Sequence, residues 1–148
     1  MDPMQLFGGY AEEFEKSLAD DDWDRLAPLF AEDARYIVTG TPFDCTLEGR
    51  AAILAGFKRA LDGFDRKFDH REIEALGAPT IGPTTVDFSA AVHYKKAGLA
   101  DLSFTLVETA EFNEAGLIVR IQDAYDAGQD HVTEWLADHS GEFDPSYE

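Results

Sequence analysis

The sequence predicts an α+β fold in which helices come first and a meander of antiparallel strands follows. Two periodicities carry that prediction. Apolar residues recur at helical spacing as far as Phe64, and from Lys67 onward they alternate in and out. The size agrees: 148 residues, 45% apolar and 12% aromatic, suit one domain with a sizeable core. Residues 1–148 therefore read as a single unit, with 128–148 forming a C-terminal helix and an acidic tail.

Leu6, Tyr10, Phe14 and Leu18 recur at four-residue steps and mark the inner face of a first helix. Asp22 is placed to cap a short second helix whose Trp23, Leu26, Leu29 and Phe30 face inward. "ARYIV" (34–38) reads as a strand and "TGTPFDCTLEG" as the loop after it. A third helix takes Ala52, Ile53, Phe57, Ala60, Leu61 and Phe64 as its stripe. Strands follow at 67–75, 85–95 and 101–112, with "LGAPTIGPT" breaking the first from the second. A strand from Ile118 to Asp126 comes next, and Val132, Trp135, Leu136 and His139 suggest a short last helix.

Thirty acids against 12 lysines and arginines give a formal net charge of −18. Phosphate backbones and anionic lipid surfaces repel such a surface, which argues against nucleic-acid and membrane roles. Cys45 is alone, so an intrachain disulfide is impossible and no cysteine zinc site is suggested. The N-terminus has neither a basic stretch nor a long apolar run, so a cytoplasmic location is expected.

One strand poses a chemical problem. In "IVRIQDAYD" alternation puts Asp123 on the apolar face with Leu117, Val119, Ile121 and Tyr125, where burial disfavours a charge. A four-residue turn at "FNEAGL" would pair Phe112 with Leu117 and set Glu108 opposite Ile121. Asp123 is then the diagonal neighbour of Glu108, roughly 7–8 Å away. Two carboxyls on one apolar face suit proton transfer, one as base and the other, protonated, as donor. Exposure at the strand end, or pairing with an arginine, explains Asp123 equally well. Asp126 faces the other way and fits a solvated or capping role.

The histidines divide. His70 shares a strand face with Phe68 and Glu72 and suits either a pocket acid/base or a half-buried strand position. His93 falls on the outer face with Asp87, Ser89 and Lys95. His131 and His139 flank Trp135 on one helix face, too far apart to share a metal, so no metal site is expected. Tyr10, Tyr36, Tyr94 and Tyr125 can each lend a pocket a hydroxyl or complete the core.

The element order, with "DDDWDRLAPLFAEDARYIV", "LEGRAAILAGFKRAL" and "EFNEAGLIVRIQDAYD", resembles the SnoaL-like and ketosteroid isomerase-like families of the nuclear transport factor 2-like superfamily. The resemblance spans about residues 5–127 and implies a cone: a curved antiparallel sheet around three N-terminal helices, with an apolar pocket between them. By the same resemblance, Val38 stands at the isomerase base, Phe14 at its helix-one tyrosine and Glu108 at its protonated acid. Asp123 matches the late-strand acid of polyketide cyclases and of limonene epoxide hydrolases. The hydrolases' arginine–aspartate pair falls among Ala90, Val92 and Tyr94. His70 resembles the histidine of scytalone dehydratase-like members. A homodimer through the outer sheet face of Ser103, Thr105, Val107 and Thr109 is implied as well.

The expected activity is acid/base chemistry, without cofactor or metal, on a compact apolar substrate with a carbonyl or enol. Asp123 is the expected base, Glu108 the donor and His70 an assistant at the mouth. Phe14, Tyr36, Val38, Phe57, Phe88, Val92, Tyr94, Phe104 and Tyr125 are expected to shape the pocket. The alternative is a non-catalytic binding or dimerisation module, and a closed cavity holding both acids distinguishes enzyme or binder from scaffold.

Overall fold

The computed structural model describes residues 1–125, 129–139 and 141–148. Helix α1 spans Pro3–Asp20. Its start is fixed by Pro3 in the first turn and by the Asp2 carboxylate, which accepts from the Met4 and Gln5 N–H groups. It ends at Asp21, whose left-handed backbone (φ 63°) returns its N–H to the Ser17 carbonyl. Phe7 and Tyr10 are buried on its inner face.

The second helix is a 3-10 helix, Trp23–Leu29, rather than an α-helix. Pro28 lies inside it and lacks the N–H that a regular helix needs. Asp22 holds the N-cap position but makes no side-chain cap bond. Helix α2 spans Arg50–Gly63 and buries Ile53, Phe57, Ala60 and Leu61. Helix α3 spans Asp130–Asp138 and buries Val132 and Trp135.

Seven strands form one sheet in the order β2-β1-β7-β6-β5-β3, with β4 pairing β5. They are β1 Phe30–Thr39, β2 Cys45–Glu48, β3 His70–Ala75, β4 Thr80–Ile81, β5 Thr85–Lys95, β6 Leu102–Phe112 and β7 Ile118–Tyr125. Strand β2 lies in a stretch expected as loop, and β4 in one expected as a break. Four and two residues are too short to show a period. The pairings are antiparallel except β1 with β7, which run parallel, so the expected all-antiparallel sheet has one exception. The expectation for Asp126 lies outside the described residues.

The sheet's concave face, α1, the 3-10 helix and α2 enclose the core. Phe57 is 1% exposed and meets Phe14, Trp23, Phe30 and Tyr36 edge-on. A second aromatic cluster joins Phe64, Phe68, Tyr94, Trp135 and Phe143. Phe143 belongs to the segment 141–148, which runs back along α2. The Asp144 N–H donates to the Gly63 carbonyl (2.9 Å). A Cβ on Gly63 would collide with the Asp144 carbonyl, and one on Gly56 would meet the Leu47 side chain and the Tyr147 carbonyl. Seven residues apart, these glycines share one face of α2 and leave room for the segment.

Candidate functional site

Between α1, α2 and the concave face lies a cavity of about 410 Å³. Eight of the nine side chains expected to shape a pocket line it: Phe14, Tyr36, Phe57, Phe88, Val92, Tyr94, Phe104 and Tyr125. The ninth, Val38, is 2% exposed and packs in the core off the cavity. Glu108 and Asp123 both line it.

The hairpin register differs from the expected one. The loop after Phe112 has five residues, with Asn113 Oδ1 accepting from the Ala115 and Leu117 N–H groups. Phe112 pairs with Ile118, and a bulge between Glu111 and Phe112 then leaves Val119 as an extra residue. Ile118, not Leu117, takes the buried position. Past the bulge Glu108 stands directly opposite Asp123, not diagonal to it. The two carboxyls are therefore closer than strand alternation alone implies.

Asp123 is 5% exposed. Tyr36, carried alongside by the parallel β1–β7 pairing, donates its hydroxyl to Asp123 Oδ2. Asp123 Oδ1 is buried and has no hydrogen-bond partner of ordinary geometry among the described residues. Burial pushes Asp123 up from the usual carboxylate range, while interactions with Glu108 and Tyr36 pull it back. Glu108 is raised well above its ordinary value, first by burial and then by the charge of Asp123 facing it. Both shifts favour a proton shared within the pair, and Glu108 is the more strongly raised of the two. Glu108 keeps some accessible surface although it is deeply desolvated, because it faces the cavity.

This pair costs stability when ionised, and the sign follows from linkage. A carboxyl whose value is raised in the folded state binds more protons folded than unfolded, so stability falls as pH rises. The loss begins near the unfolded glutamate value of about 4.3 and continues to the raised folded value. Glu108→Gln removes that titration. Its unfolding free energy is expected to fall less than wild type between pH 5 and pH 8 in urea melts. Parallel pH profiles for the two proteins would contradict a proton held on Glu108.

A second polar group lies on the cavity wall. Arg71 Nε pairs with Asp65 Oδ2 and its Nη1 with Glu15 Oε1, each at 2.8 Å. The Tyr94 hydroxyl also donates to Asp65 Oδ2 (2.8 Å). Burial raises Asp65, and Arg71 and Tyr94 counter it. His70, expected here, is exposed and off the cavity. Strand β3 begins at His70, which pairs with Lys95, whereas its neighbour Arg71 pairs with Tyr94 and shares that residue's inward face.

Two further tyrosines contribute, of which only Tyr147 was not legible in the sequence. Tyr10, read from the sequence as either a pocket hydroxyl or a core residue, lines the cavity, and burial, then the neighbouring acid pair, raises its hydroxyl well above the ordinary value. Tyr147, in the tail, lines the cavity with its hydroxyl 3.4 Å from that of Tyr36. Its only signal is two glycines on one face of α2. Among the described residues, no three His, Cys, Asp or Glu side chains gather to hold a metal ion. None of the described helices is long and apolar enough to cross a membrane.

A helix-packed sheet enclosing an acid pair defines an α+β pocket protein. The SnoaL-like domain model matches residues 11–121, three-quarters of the chain, and the protein belongs to that family. Solved structures agree on the fold. A candidate isomerase from Rhodopseudomonas palustris shares 17% identity at a TM-score of 0.70, over 89% of this chain and 96% of that one. An NTF2-like protein from Anabaena variabilis shares 16% at 0.67, over 84% and 90%. RV0760c from Mycobacterium tuberculosis, in complex with estradiol-17beta-hemisuccinate, shares 17% at 0.61, over 86% and 96%. Among curated proteins, none matches the chain.

Proposed function

We propose that the protein is an acid/base catalyst for a small, largely apolar molecule bearing a carbonyl or enol. The supporting observation is the cross-strand pair: Glu108 opposite Asp123, both on the cavity wall. Asp123 is held by the Tyr36 hydroxyl at Oδ2 and faces Glu108 across the strands, which places it to take a proton as base. Protonated Glu108 is the donor that meets the substrate oxygen. The Tyr10 hydroxyl, from the same cavity wall, offers that oxygen a second donor. Isomerisation, aldol-type cyclisation and dehydration all need such a base and donor within one dry cavity. His70 has no part in this scheme. The solved relatives described as a candidate isomerase and as a steroid-ester complex make a small organic ligand a reasonable occupant.

Binding without turnover is the second reading, favoured by the apolar Val38 at the position where the isomerase-like resemblance implies a base. Deuterium exchange separates the two. The wild-type protein is expected to exchange the α-hydrogens of a bound cyclic ketone with deuterated water faster than buffer does, as followed by NMR. Exchange at the buffer rate, for a ketone shown to bind, would overturn the catalytic reading and leave the binder.

A further inference from the structure

Of the described residues on the cavity wall, only Gly8, Glu15 and Ile73 are exposed, which puts the mouth between α1 and β3. Gly8, Ala11 and Glu15 follow at helical steps on one face of α1. A Cβ on Gly8 would meet nothing within 4 Å, so open space lies beside it. Across the mouth, Arg71 and Ile73 share one face of β3. Ile73 is 43% exposed, an apolar side chain where cavity meets solvent. The Glu15–Arg71 ion pair, 2.8 Å long, bars the mouth from one side to the other.

The two ends of this bar are unequal. The Glu15 side chain is 51% exposed, that of Arg71 14%. Glu15 can leave for water at little cost, because ion pairs with an exposed partner contribute little net stability. Arg71 stays, since Asp65 holds its Nε at 2.8 Å and its guanidinium lies over the Phe14 ring at 6.0 Å. Departure of Glu15 opens Nη1, and Nη2 makes no hydrogen bond among the described residues. Together they form the fork that takes both oxygens of a carboxylate. Glu15 itself shows that a second carboxylate is accommodated there beside Asp65. Burial and the charge of Asp123 raise Glu108, and the charge of Arg71 acts the other way, so the guanidinium and the acid pair share one electrostatic space.

We infer that the ligand of this cavity is an apolar keto acid, whose carboxylate displaces Glu15 from Arg71 at the mouth while its carbonyl reaches Glu108 inside. The ligand's charge then stays near water and its hydrocarbon enters the aromatic interior, which spares the charge most of its desolvation. One carboxylate replaces another, so the local charge balance is unchanged. Glu15 is the resident competitor, barring the mouth when the cavity is empty and yielding when the acid is seated. This substrate class rests on the function proposed above, with the cavity as the functional site.

Two probes that differ only at the end group test it: β-benzoylpropionate and its primary amide. Both are titrated calorimetrically at pH 7 in about 0.15 M salt, where screening over about 8 Å mutes the protein's net charge. The wild type is expected to bind the acid at least about threefold tighter than the amide. Glu15→Gln, which removes the competitor, should raise acid affinity at least about fivefold further and leave amide affinity unchanged. A purely structural ion pair gives the opposite result, weaker binding of both probes. Arg71→Gln should abolish the acid preference, with circular dichroism confirming the fold, and if it does not fold Glu15→Gln decides alone. Acid binding no tighter than amide in Glu15→Gln, equal tightening of both probes, no saturable acid binding, or an acid preference surviving in folded Arg71→Gln would each overturn the inference. Ketone exchange by the wild type, measured separately, decides the catalytic reading. Exchange without acid preference removes the keto acid alone, and acid preference without exchange removes catalysis alone.

Discussion

Asp123→Asn is expected to lower turnover by about a thousandfold while leaving the fold intact. General-base catalysis contributes on the order of 10²- to 10⁴-fold, and an amide cannot take up the proton. The substitution keeps the side chain's shape. The Tyr36 hydroxyl retains an oxygen to donate to, so the β1–β7 contact that positions the site survives. Removing a charge from a buried pair also lifts the repulsion on Glu108, and stability should not fall. The measurement is turnover, or ketone exchange, beside a thermal melt. Undiminished activity in a folded variant would take the base role from Asp123. Lost activity with lost folding would be uninformative on its own, which is why Glu108→Gln is the necessary companion. It removes the donor's proton in the same environment and keeps the lone pairs of Asp123.

Phe57→Ala should cost about 3–5 kcal/mol, the usual range for emptying a buried phenylalanine site. The ring is 1% exposed, and four aromatic neighbours lean on it from α1, the 3-10 helix and β1. None of them can close the gap without leaving its own partners, so the cavity will not collapse cheaply. Against a typical total of 5–15 kcal/mol that is a large fraction. The same ring stands perpendicular to Tyr36, so its loss should also loosen the Tyr36–Asp123 hydrogen bond and reduce activity in the surviving folded protein. Urea unfolding gives the first number. A cost below about 1 kcal/mol would show that the neighbours repack and that Phe57 does not set the spacing of α2 and β1.

Much of this architecture was readable in the residues because long amphipathic elements write their period clearly. The stripe through Ile53, Phe57 and Leu61 and the alternation through Leu102, Phe104 and Leu106 became α2 and β6. Short elements carry no such signal, and β2, which pairs with β1 beside the site, was invisible for that reason. The acid pair was legible as a coincidence of parity, but its closeness was not. One extra loop residue and one extra residue at Val119 together decide whether Glu108 faces Ile121 or Asp123, and a bulge leaves no mark in hydrophobic spacing. His70 illustrates the opposite error. The strand begins at His70, two residues after Phe68, so Phe68 does not share its alternation and the inward position passes to Arg71. Tyr147 lies beyond the last strand, and no local pattern connects it with Tyr36.

The docked segment 141–148 also orders events during synthesis. Domains form from the N-terminal end as the chain emerges, and apart from Pro145 every other residue on the cavity wall, Tyr125 the latest of them, precedes the segment 141–148. Helices, sheet and acid pair can therefore assemble with the chamber still open along the track of Gly56 and Gly63. A released chain lacking Tyr147 would leave the cavity open on that side, toward Tyr36 and Asp123. Only when the last aromatic residue threads along α2 does the carboxyl acquire its dry surroundings, so chemical competence arrives later than folding.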